Sequence, residues 1–169
     1  MATEIGKSIQ AVVEYLGEHP DEARYTDKPA VAVIEAGLRC RATGPDGAAL
    51  VSDMPTAIGG GGAAPTPGWL LRAALANCDA TAIAMRAAQE GVTLTTLEVT
   101  VDGESDDRGL LGMDDSIPAG PLSVRTRVRI GAEGVARDRL REIVEWAEAH
   151  SPVADAIGRA VPKKVEIEV

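Results

Sequence analysis

The sequence predicts an α+β fold: antiparallel strands packed on one face by helices, with one long helix through the middle of the chain. Three observations carry that prediction. The strand-like runs cluster instead of alternating strictly with helices, in the order α-β-β-β-α-β-β-α-β. Several runs alternate apolar and polar residues with a period of two. One helix, starting at Thr66-Pro67, is apolar or small on nearly every side, through Ala73, Ala74, Ala76, Ala80, Ala82 and Ala84. Clustered strands favour an antiparallel sheet over βαβ units. A helix with few polar positions is buried on several sides. A chain of 169 residues does not readily bury such a helix alone, so a second copy of the chain is expected as its cover.

Each element has its own signal. Ile5, Ile9, Val12, Val13 and Leu16 mark an amphipathic helix within residues 1–20 that stops before His19-Pro20. Short strands are expected within 30–53, at about 30–34, 38–43 and 48–52, the last two joined by the turn Gly44-Pro45-Asp46-Gly47. Four glycines, Gly59 to Gly62, read as a flexible lead-in to the central helix, placed at 66–90. Thr at an N-cap followed by Pro is a helix start signal. Leu97, Val99 and Val101 form a half-buried strand, and 102–120 reads as an acidic loop. Leu122, Val124, Thr126, Val128 and Ile130 alternate with Ser123 and three arginines as the cleanest strand. A third helix carries Leu140, Ile143, Val144 and Ala147 and halts at Ser151-Pro152; Val165, Ile167 and Val169 close the chain as a strand. No internal repeat is visible, and residues 1–169 read as a single domain.

Composition removes several function classes. The formal charge is −9 and the aromatics are only Trp69, Trp146, Tyr15 and Tyr25. Phosphate backbones are bound by an excess of Lys and Arg, and bases by stacking surfaces, so nucleic acid is not expected as a partner. No run approaches a membrane span of about 18 apolar residues, and membrane is not expected either. The glycine run ends in Ala-Ala-Pro where a phosphate loop needs Gly-Lys-Ser/Thr. Two histidines without HxxxH or CxxC spacing do not suggest zinc, and no cofactor is expected. Two cysteines are too few for a disulfide scaffold, which fits a reducing cytoplasm.

Cys78 is the candidate reactive group. It falls about three turns inside the central helix, on the apolar stripe Leu71, Ala74, Leu75, Cys78, Ala82, Met85. A thiol there is either a small core hydrophobe or a nucleophile. The helix dipole helps a thiolate only within the first turn, and apolar surroundings favour the neutral thiol. A cation from elsewhere in the fold must therefore activate it. Arg39, beside Cys40, is best placed by sequence; Arg125 and Arg127 are the other options.

A glycine-rich loop, a proline-started Ala/Leu helix with the Ala-Asn-Cys step at Ala76–Cys78, the Ser-Pro-Val at Ser151–Val153 and the ending VPKKVEIEV together resemble the OsmC/Ohr family (osmotically inducible and organic hydroperoxide resistance proteins). The resemblance covers roughly residues 30–169. It implies an intertwined α+β homodimer with long central helices, and thiol-dependent peroxidase chemistry in which Cys78 is the peroxidatic position. It also implies that Ser151 stands where the family carries a resolving cysteine. Gly68, followed by Trp69, stands where the peroxidases carry a Glu that orients the activating Arg. Arg39 lies near that Arg position. Two functions follow as expectations. In one, Cys78 with Arg39 reduces a small organic hydroperoxide, and Cys40 or an external thiol resolves the sulfenic acid. In the other, the dimer is a binding module for a small apolar ligand, with Gly68, Trp69 and Ser151 shaping the site and the thiol as packing.

Overall fold

The computed structural model describes residues 3–169. Its elements are α1 (Glu4–Glu18), β1 (Val31–Ala36), β2 (Arg39–Thr43), β3 (Ala49–Ser52), α2 (Pro67–Gln89), β4 (Leu94–Glu104), α3 (Asp107–Leu110), β5 (Ser123–Ala132), α4 (Arg137–Ala149) and α5 (Pro152–Gly158). The predicted class holds: β1-β2-β3 form one antiparallel sheet and β4-β5 another, with helices between and after them. The chain divides into two compact units, one of Ala11–Ala73, the other of Ala74–Val169 with the residues up to Gln10.

In the larger unit, β4 and β5 pair over their whole length. Their period-two pattern sorts the side chains by face. Leu97, Val99, Val128 and Ile130 pack against Ile83 and Ala87 of α2 and Ile143 and Ala147 of α4. Ile143 and Ala147 are fully buried. With no Phe in the chain, aliphatic residues supply this core, each buried Ile contributing about 1.5–3 kcal/mol. On the opposite face, Asp102 takes both Arg125 (3.0 Å) and Arg127 (2.7 Å), and Arg129 pairs with Glu98. The start of α1 lies against the end of α2: a Cβ on Gly6 would stand 2.4 Å from the Ala88 carbonyl oxygen.

In the smaller unit, β1, β2 and β3 form a meander in which Ile34 faces Cys40 and Cys40 faces Ser52. Asp46 and Gly47 both take positive φ in the predicted turn. The glycine run is not a loose lead-in. It closes on the buried Asp53, whose carboxylate accepts backbone N–H groups from Met54 (2.8 Å), Gly61 (3.2 Å) and Ala63 (3.1 Å). Gly60 must lack a side chain, because a Cβ there would fall 1.9 Å from the Met54 carbonyl oxygen.

Four further expectations need correcting. Ser151-Pro152 ends α4 but also starts α5, the Ser151 hydroxyl capping it by accepting from the Ala154 N–H at 3.3 Å. Within 102–120, β4 runs on to Glu104, and Asp106 caps the short α3 through the Arg108 N–H. Residues 160–169 form no strand; they are exposed, Ile167 at 82%. Alternation alone does not make a strand, which needs a neighbour to take its backbone hydrogen bonds, and no ladder partner exists among the described residues. Finally, the fully buried positions of α2 are Leu75, Asp79, Ile83, Ala87 and Ala88. Of the expected stripe, Leu75 is buried as expected, but the rest of the buried line runs one step round the helix, with Leu71 and Met85 exposed and Cys78 half-buried.

Candidate functional site

Thr66 sets the start of the helix that carries the thiol. Its hydroxyl oxygen accepts from the Trp69 N–H at 3.2 Å and its carbonyl oxygen from the Leu70 N–H at 3.0 Å. From Pro67, Cys78 lies about 16 Å along the axis at 1.5 Å per residue, beyond the reach of the terminal dipole. Cys78 and Cys40 are both free and half-buried.

The residue after Cys78 is the one the sequence reading missed. Asp79 is 1% exposed and sits on the core-facing side of α2 between Leu75 and Ile83. Its Oδ1 accepts a hydrogen bond from the Ser151 hydroxyl at 2.7 Å, and Ser151 is itself completely buried. Among the described residues, Asp79 Oδ2 is buried with no hydrogen-bond partner. An acceptor left so costs about 1–3 kcal/mol. Nearby, burial pushes the Glu148 carboxyl above its usual range, and the charge of Asp79 adds to the shift. The available signal was an acid four residues from apolar neighbours on both sides of an otherwise Ala-rich helix.

Cys78 and Ser151 thus belong to one unit, joined at the Cys78–Asp79 step of α2. Arg39, Gly68 and Trp69 belong to the other. Arg39 Nε stands 3.1 Å from Glu35 Oε2, and Arg41 holds the second oxygen of the same carboxylate. Glu35 is accordingly drawn below the usual carboxylate range, chiefly by the Arg41 hydrogen bond. Arg125 and Arg127 are held by Asp102. Around Gly68 there is room: a Cβ would find Arg72 Nη1 and Thr66 Oγ1 as its nearest atoms, each at 4.0 Å. Trp69 is half-exposed. The chemistry on hand is a free thiol on an open helix stripe, backed by a buried carboxylate–hydroxyl pair.

The family model for OsmC-like protein matches residues 59–166. No curated protein matches the chain. Among solved structures, an organic hydroperoxide resistance protein, OsmC, from Legionella pneumophila is 22% identical, with 79% of this chain and 89% of that one covered and a TM-score of 0.55. An OsmC-like protein from Mycoplasma pneumoniae is 15% identical over 80% and 89%, with a TM-score of 0.66. An organic hydroperoxide resistance protein from Elizabethkingia anophelis is 16% identical over 79% and 89%, with a TM-score of 0.57. At these identities the likeness is one of fold.

Proposed function

Because the chain belongs to the OsmC-like protein family, we propose that it acts as a single OsmC-like domain that reduces organic hydroperoxides through Cys78. The observation that carries this reading is the position of that thiol, free and half-buried on the stripe of α2 turned away from the core. The Cys78 thiolate attacks the distal oxygen of a hydroperoxide. The O–O bond breaks, the alcohol leaves with a proton, and the sulfur becomes a sulfenic acid. An external thiol then condenses with the sulfenic acid, releasing water, and a second thiol reduces the mixed disulfide and regenerates Cys78. The reductant is given to an external thiol, with Cys40 as the alternative, because the hydroxyl of Ser151 cannot form a disulfide with the sulfenic sulfur. The resemblance gives the activating cation's part to Arg39.

A second reading rests on the open space at Gly68 and the half-exposed Trp69 beside it. It takes the protein as a binding module for a small apolar ligand, without redox turnover.

Mass spectrometry after one equivalent of cumene hydroperoxide, with dimedone present, separates the two. The peroxidase reading expects the dimedone adduct on Cys78, and slower adduct formation in Arg39→Ala. An unmodified Cys78 with the hydroperoxide unconsumed sinks it and leaves the binding module.

A further inference from the structure

Among the described residues, every half-buried Lys or Arg side chain but one has its counter-charge. Arg39 and Arg41 share Glu35, and Arg86 is paired with Glu90. Arg72 is half-buried as well, yet it has no ion pair and no side-chain hydrogen bond to any described residue. Its own helix offers none. A charge on a helix is met by residues three and four positions away, which for Arg72 are Gly68, Trp69, Leu75 and Ala76. An acid pairs best with a cation from four residues before it, and that position is Gly68. The guanidinium still reaches there: Arg72 Nη1 and Thr66 Oγ1 are the atoms nearest to where a Gly68 Cβ would stand, each at 4.0 Å. Thr66, Gly68, Trp69 and Arg72 all lie within the smaller unit. A gap of side-chain size is thus bounded by a guanidinium and a hydroxyl, and the half-exposed indole of Trp69 follows Gly68 in the chain.

We propose that Arg72 and the gap at Gly68 bind the carboxylate of a small monocarboxylic acid whose apolar body lies on Trp69. The ligand takes the place that an acidic side chain at position 68 would fill. A carboxylate matches the planar fork of a guanidinium bidentately. The chain's charge of −9 repels polyanions, so a single negative charge is the better fit. The inference rests on the second reading above for the place of its site and adds the charge of the ligand; it needs no reaction at Cys78.

The test is calorimetric titration with phenylacetate and with the uncharged phenylacetamide, without peroxide. The acid is expected to bind about tenfold more tightly than the amide, as one charge-assisted hydrogen bond warrants. Arg72→Gln is expected to remove that difference. Gly68→Glu supplies the missing acid from within the chain, and is expected to weaken phenylacetate binding about tenfold. It should also raise stability, since glycine gives way to a better helix former. Should Arg72→Gln not fold, Gly68→Glu decides. Acid and amide binding alike, with no effect of Arg72→Gln, overturns the carboxylate site and leaves the apolar binding reading in place. Unaltered phenylacetate binding in Gly68→Glu overturns the site equally. Binding of neither probe overturns both.

Discussion

Asp53 and Asp79 are both almost completely buried, yet their surroundings treat them differently. Backbone N–H groups of Ala63, Met54 and Gly61, with the charge of Arg39, hold the Asp53 carboxyl below its ordinary value of 3.8 against the opposing effect of burial. A carboxyl depressed in the folded state binds fewer protons there than in the unfolded chain. Its stabilisation is complete above the unfolded value and is lost as pH falls through the folded one. Asp53→Asn should therefore lower the urea midpoint near neutral pH and flatten its fall as the pH drops below about 4. Midpoints of the variant and the parent falling in parallel would show that Asp53 does not contribute to the acid limb. Neither aspartate was legible as buried, because a charged residue in a sequence reads as solvated unless a partner is known. The partners here come from Ala63, ten residues on, and Ser151, seventy-two residues on. The place of Cys78 inside α2 was legible because its cues are local: a glycine run and a helix start.

At the scale of elements, local chemistry was again what could be read. Thr66-Pro67 gave the start of α2 within a residue, and alternation located β5. Ser151-Pro152 carries the same cap-then-proline signal, but with a helix just ended before it, only its role as a stop was recognised. The closing strand failed for the opposite reason, since pairing is a property of two segments. The Thr66 cap makes a prediction of its own. Removing a Thr cap costs about 1 kcal/mol, so Thr66→Ala should lower stability by that amount, whereas Thr66→Ser should stay close to the parent. Urea unfolding monitored by circular dichroism gives both numbers. Equal stability of Thr66→Ala and the parent would mean that α2 does not depend on its cap, and that packing farther along sets where it begins.

The whole molecule leaves much apolar surface uncovered. Besides Leu71 and Met85 on α2, the exposed residues include Val31, Val33 and Ile34 on β1 and Val12 and Val13 on α1. Single exposed hydrophobes are ordinary, but groups of them on several elements mark surfaces that meet another chain. None of the helices formed by the described residues is long and apolar enough to cross a membrane. We propose a second copy of the chain as the cover, related by a two-fold axis as most homo-oligomers are. Light scattering at micromolar concentration should give twice the 17.5 kDa of one chain. Because apolar area and not ion pairing would hold the dimer, raising the salt should leave that mass unchanged. Met85→Glu puts a charge on the open stripe of α2 and should shift the mass toward the single-chain value while the helix content stays. A parent protein that scatters as a monomer would remove the dimer. A Met85→Glu protein that stays dimeric would move the interface off the Cys78 stripe, and the thiol would then face solvent in both copies.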